Sequence, residues 1–207
     1  MKLETVLLAA KSTIGQANTP TGIVKLPASG KVAVSNLGLT GDFQADSRVH
    51  GGLDKAVYQY PFENYHSLIE ALPHLKLKFS QPCVGENFSS TGMEDGSVFI
   101  GDIYQIGTAK LQVSQPRMPC WKVNHHVGNA HMMSLMIALN RTGWYYRVIE
   151  EGDVEAGDSF ELVERVQDEF SVESVWSKWV ELRENKQARV DRFEIEGLSN
   201  EWTFDWG

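Results

Sequence analysis

Apolar positions come in short bursts along most of this chain, with long helical stripes in only a few places. Residues 5–10 read as a strand, and a loop rich in Thr, Gly and Pro follows. The runs Ile23-Val24-Lys25-Leu26 and Val32-Ala33-Val34 predict two more strands. Residues 37–42 are turn-rich, and Ala56-Val57-Tyr58 returns to strand composition. Over 61–72 the period changes. Phe62, Tyr65, Leu68, Ile69 and Leu72 recur at helical spacing, Pro61 suits a first helical turn, and Pro73 ends the helix. The strongest β pattern lies at 97–114: residues 97–100, 103–106 and the alternating 109–114, separated by glycine-containing turns. Gly-Asp punctuation recurs at Gly152-Asp153 and Gly157-Asp158, ahead of a strand at 160–163. Between these lies an insertion, residues 123–147. Met132, Met133, Leu135, Met136, Ile137 and Leu139 form an apolar helix there, with Gly143 as its expected stop. Residues 144–149 are a strand again.

After Arg165 the pattern becomes helical. Val172, Val175, Trp176, Trp179 and Val180 share one face, and Ser171 is placed as an N-cap. A break falls at Asn185-Lys186-Gln187, a short helix is expected near 190–193, and another opens at 198–202. The sum is a mainly β fold with inserted helices, a small barrel or sandwich. Residues 1–28 supply a strand and loop that join it, 29–163 form the main domain, and 164–207 form a helical appendage.

Composition narrows this. Of 207 residues, 42% are hydrophobic, enough for a real core. Lys and Arg number 19 against 27 Asp and Glu, a net charge of −8, which argues against a duplex nucleic-acid binder. Any anionic ligand must therefore meet a local cluster of cations. The apolar patch near the N-terminus is broken by Glu4 and ended by Lys11, so it lacks a signal-peptide layout, and no run is long enough to cross a bilayer. Two cysteines, Cys83 and Cys120, make no disulfide framework and fit a reducing cytoplasm. A homodimer is common at this size, but nothing in the sequence marks an interface.

Chemistry concentrates in two stretches. Gln115-Pro116-Arg117-Met118-Pro119-Cys120-Trp121-Lys122 follows a strand, and its prolines stiffen the chain and take it out of the sheet. Free cysteine is most often a small buried hydrophobe. Arg117 and Lys122 nevertheless flank Cys120, and nearby cations favour the thiolate, the nucleophilic and metal-binding form. The second stretch is 41–60. Backbone N–H groups at Gly51-Gly52, beside Arg48, His50 and Lys55, would make an anion-binding concavity, although a solvated loop has the same composition. Cys83 has no adjacent cation and reads as structural. His125, His126 and His131 match no common zinc spacing and read as surface residues.

Four ordered motifs carry a family resemblance. They are the run from Asp46 through Arg48-Val49-His50-Gly51-Gly52-Leu53-Asp54-Lys55 to Val57, then Gly85-Glu86-Asn87-Phe88, Ile100-Gly101-Asp102, and Val113 to Lys122 around Cys120. Together they resemble the MOSC family, named for the C-terminal domain of molybdenum-cofactor sulfurase. Gly143-Trp144-Tyr145-Tyr146-Arg147-Val148 and the tail ending Leu198-Ser199-Asn200-Glu201-Trp202 resemble its YiiM-like branch. The resemblance covers nearly the whole chain. It implies a barrel-like β fold with a three-helix tail and a pterin-based molybdenum cofactor (molybdopterin), with Cys120 as metal ligand or sulfur carrier. It also implies reduction of N-hydroxylated bases such as 6-hydroxylaminopurine, with electrons from a flavin-containing reductase partner. Pyridoxal phosphate binding is a further association at family level. The cations and donors available to such a cofactor are Arg48, His50, Lys55, Arg117 and Lys122. Glu86 and Asn87 are candidates to line the same pocket, and His50 or Lys55 to supply a proton. A persulfide carrier and a non-catalytic cofactor binder would use the same Cys120, so the thiol alone leaves all three open.

Overall fold

The computed structural model describes residues 1–185 and 194–202, and for Arg48 the backbone alone. Its strands are β1 Lys2–Ala9, β2 Ser12–Ile14, β3 Thr19–Thr21, β4 Lys25–Pro27, β5 Val32–Ser35, β6 Gly38–Leu39, β7 Val57–Pro61, β8 Phe88–Thr91, β9 Ile103–Ile106, β10 Ala109–Pro116, β11 Trp144–Glu150, β12 Gly152–Val154 and β13 Phe160–Glu164. The helices are α1 Ser47–His50, α2 Phe62–Ala71, α3 Lys122–Val127, α4 Met132–Ala138 and α5 Val172–Glu184. Eight strands form one sheet in the order β13-β9-β10-β11-β7-β8-β1-β4, antiparallel except where β7 runs parallel to β8. The mainly β expectation therefore holds, but the sheet is open at β13 and β4 and does not close into a barrel.

The core explains the layering. Val57, Phe88, Leu111, Val113, Trp144 and Tyr146 point from the sheet into one apolar cluster, and Val172, Val175 and Trp176 of α5 enter it from the tail. Ser171 caps α5, its side chain accepting from the Ser174 N–H. A second cluster, under α2 and α4, gathers Tyr58, Tyr60, Tyr65, Leu68, Phe79 and Cys83. No described helix is long and apolar enough to cross a membrane.

Four expectations shift. Residues 97–100 form turns and no strand beyond the single bridge Phe99–Ser171. The cause is local: the Asp102 carboxylate accepts from the Phe99 N–H at 3.0 Å while the Asp102 N–H returns to the Phe99 carbonyl at 3.1 Å, so a turn outcompetes the ladder. The chain does not leave the sheet at Gln115-Pro116. Both residues still pair, with Tyr145 and Trp144, beyond a bulge between Val113 and Gln115, the setting in which a sheet tolerates proline. Gly143 does not stop α4. The chain turns instead at Asn140, which takes φ 53°. Residues 198–202 are turned and not helical, and the helix expected near 190–193 falls outside the described residues.

Candidate functional site

The site is assembled where β10 runs out. The Arg117 N–H donates to the Gly143 carbonyl at 2.9 Å, tying the start of the loop to the turn before β11. Only glycine serves at 143. Its φ is +67°, and a Cβ there would lie 2.3 Å from the Gln59 carbonyl oxygen. Proline at 119 then holds the loop extended until Cys120, whose carbonyl accepts from Val123 as α3 begins. From the other side, the motif at 46–55 wraps through α1, turns at Gly52 with φ +98°, and passes through the short 3-10 turn Leu53–Lys55 before entering β7. That wrap brings His50 and Lys55 to the thiol.

A cavity open to solvent lies between these segments. Lys25, Asp42, His50, Lys55, Asn87, Arg117, Cys120 and Lys122 line it, with Tyr58 and Tyr145. Five residues expected from the sequence as cofactor donors therefore meet Cys120 in one place: His50, Lys55, Asn87, Arg117 and Lys122. The others do not. Glu86 is buried and turned into the second core cluster, where its carboxylate accepts from the Tyr65 hydroxyl and the Val84 N–H. Gly51 and Gly52 are not among the lining residues, so their visible contribution is the turn itself. The Arg48 side chain lies outside the described set.

Electrostatics separate these cations. Lys25 and Asp42 pair at 2.6 Å in a buried position, and Asp42 also accepts from Asn87 and from the Ala9 N–H. Burial lowers the Lys25 pKa, and Asp42 opposes that pull. Lys55, 6% exposed, donates to both carboxylate oxygens of Glu201 at 2.7 Å and to the Val49 carbonyl. Lys122 donates to the Pro20 carbonyl.

Arg117 differs from these. It is buried over the face of Tyr58, with its guanidinium carbon 4.7 Å from the ring centre. It has no ion pair with a carboxylate among the described residues, and its Nη1 is buried with no partner. Burial works against its charge, yet the neighbouring Tyr58 and Tyr145 hydroxyls and the Cys120 sulfur hold it firmly protonated.

Cys120 responds in kind. Burial alone would push its thiol up. The His50 hydrogen bond, the Arg117 charge and the Lys122 N–H outweigh burial and bring it down to about 7. The thiolate is thereby favoured relative to an ordinary cysteine, and both cysteines are free. Lys25, Asp42, Tyr58, Tyr145 and Glu201 were not foreseen as site residues. The one available signal was a lysine inside the apolar run 23–26. Among the described residues no three His, Cys, Asp or Glu side chains gather as a metal-binding group. His125 and His131 are exposed and His126 is partly buried.

The comparisons with known proteins agree with this architecture. A MOSC domain model matches residues 46–161. Protein YiiM of Escherichia coli is 38% identical over 185 residues, covering 89% of this chain and 82% of its own. A protein of Gibberella moniliformis named "Reductase" is 36% identical over 156 residues, 75% of this chain but 28% of that much longer one. The crystal structure of YiiM from E. coli superposes with a TM-score of 0.73 at 30% identity, covering 98% of this chain and 89% of that one. The family model spans more than half of the sequence and the whole fold follows a YiiM structure, so this chain belongs to the MOSC domain family as a YiiM-like member.

Proposed function

We propose that this protein holds a pterin-based molybdenum cofactor in the main cavity, with the Cys120 sulfur as metal ligand. It would reduce N-hydroxylated nucleobases and related compounds, 6-hydroxylaminopurine among them. One observation carries the reading: a thiol brought to about 7 beside a buried arginine whose Nη1 has no partner. A thiolate is a soft ligand of the kind such a metal accepts, and binding keeps it deprotonated. A buried, unpaired guanidinium is costly unless an anion meets it, and its planar fork suits a phosphate. Of the described lysines and arginines that line the cavity, Arg117 and Lys122 are the two left without a carboxylate, so they are the ones to hold the cofactor's anionic part. Lys25 and Lys55 are already paired.

The reduction takes up two electrons and two protons. R–NHOH becomes R–NH₂ and water as the N–O bond breaks. The bound cofactor supplies the electrons, which reach it from a flavin-containing reductase partner. His50 is placed to deliver a proton. Its side chain lines the cavity beside the Cys120 sulfur, whose pKa it lowers, and its Nδ1 is buried without a partner among the described residues. The family name and a relative named "Reductase" support this reading. A reducing cytoplasm suits the two free thiols. The reading does not extend to pyridoxal phosphate, because the two buried lysines of the cavity are committed to Asp42 and Glu201.

The test is elemental analysis and turnover on protein made in cells able to build the cofactor. The expected result is molybdenum bound with the wild-type chain, lost in Arg117→Leu, and hydroxylamine reduction abolished in Cys120→Ser. Protein without molybdenum, carrying one extra sulfur mass on Cys120, would identify a persulfide carrier instead.

A further inference from the structure

Cys120 faces two cavities. Behind the main one lies a second, and His50, Lys55, Cys120 and Tyr145 form the wall between them. The two differ in chemistry. Arg117, Lys25 and Lys122 line the first and are absent from the lining of the second. There the walls are Val49, Met118, Pro119 and Trp202, and Lys55, the one lysine or arginine among the described lining residues, is already neutralised by Glu201.

Gln115 completes the second lining. It is 2% exposed, and its side-chain carbonyl oxygen is buried with no donor among the described residues. Such an oxygen calls for an N–H from something that enters the cavity. Glu201 adds a second acceptor at the rim. Its carboxylate is mostly exposed, and each oxygen keeps a lone pair beyond the one used by Lys55. The tail that carries Glu201 is fixed in place. The Ser199 N–H donates to the Ser114 carbonyl at 2.8 Å, and the Trp202 ring lies 5.8 Å from that of Trp176.

We propose that this second cavity is the substrate subsite, taking an uncharged planar heterocycle with N–H donors, which Gln115 and Glu201 read as acceptors while the anionic cofactor occupies the other side of Cys120. The proposal rests on the reductase reading above and deepens it. It makes the tail part of the active centre. It also sets the selectivity, since a site built around unpaired acceptors rejects analogues that lack the matching N–H. A phosphate or carboxylate ligand is disfavoured, because it would have to displace Glu201 from Lys55.

The experiment is calorimetric binding of adenine, 6-hydroxylaminopurine and unsubstituted purine to the full chain as purified. Adenine and 6-hydroxylaminopurine are expected to bind more tightly than purine. Gln115→Leu and Glu201→Gln are each expected to weaken them about tenfold, the loss typical of one good hydrogen bond, while Cys83→Ala, at a position that lines neither cavity, leaves base affinity unchanged. Glu201 is mostly exposed, so its variant tests the site even where the Gln115 change disturbs β10. Wild-type base affinity in both variants, or no binding at millimolar base, would overturn the proposal. Base binding with the expected pattern in a chain that holds no molybdenum would uphold this subsite and sink the reductase reading. Molybdenum and turnover with KM unchanged in both variants would do the reverse.

Discussion

The two cysteines of this chain are the same residue in opposite surroundings. Cys83 sits in the second apolar cluster with Tyr65 and Phe79, and its own N–H donates to the Tyr65 hydroxyl. Burial, and after it the Glu86 carboxylate, push its thiol up to about 12. Cys120 is also largely sheltered, yet a hydrogen bond from His50 and the charge of Arg117 bring it to about 7. Burial has the same sign at both positions. The neighbours decide the outcome: a carboxylate beside one sulfur, a guanidinium and an imidazole beside the other. Shelter from water therefore does not make a thiol inert, and a cation sheltered with it makes it reactive.

The comparison can be broken most directly by alkylation. At pH 8 Cys120 has a thiolate fraction about 10⁴ times that of Cys83, partly offset by about 10² through the lower intrinsic nucleophilicity of the more acidic thiol. Iodoacetamide should thus label Cys120 about 100-fold faster or more, as read by peptide mass spectrometry. Equal labelling of the two in folded protein would remove the basis of the site. The same contrast should appear in stability. Cys120 titrates near 7 in the folded chain and near the ordinary 9 when unfolded, so between those values the unfolded state binds the extra proton. Wild type should gain stability as pH rises from 7 to 9 and lose it again as pH falls through 7, by at most about 2 to 3 kcal/mol. Cys120→Ser should show no such slope in urea titrations.

Arg117→Leu sharpens the cause. The midpoint of Cys120 labelling should move up towards that of an ordinary thiol, and pyrophosphate affinity should fall by about 10- to 100-fold, the loss of one charge-assisted contact. An unmoved midpoint would assign the shift to His50 alone, and His50→Ala should then reproduce the ordinary thiol. The smallest effect is expected at the other cysteine. Cys83→Ala should cost about 1 kcal/mol of stability as a packing change and leave Cys120 labelling and turnover intact.

Much of this was legible in the residues. Alternation gave β9, β10, β11 and β13, helical spacing gave α2 and α5, and Ser171 announced its cap. The errors were local competitions that periodicity does not weigh: the Asp102 turn that replaced a strand at 97–100, and the bulge that kept Pro116 in the sheet. Within the site, the motif around Cys120 and the one around His50 and Lys55 could be singled out because prolines, glycines and charges cluster there. Lys25 and Asp42 could not, because their importance lies in a pairing between a short strand and a loop.

By itself, then, the sequence determined the β-rich class, the stiff loop that presents Cys120, and the family to which the chain belongs. Which cation stays unpaired was decided only in three dimensions. Arg117 and Lys55 are alike on paper as charges available to an anion, and Lys25 does not stand out at all. Folding gives Asp42 to Lys25 and the distant Glu201 to Lys55, and leaves Arg117 buried beside the thiol. The reason is physical: charge interactions depend on separation and burial, and residues 146 positions apart, such as Lys55 and Glu201, acquire both only when the tail packs back onto the sheet.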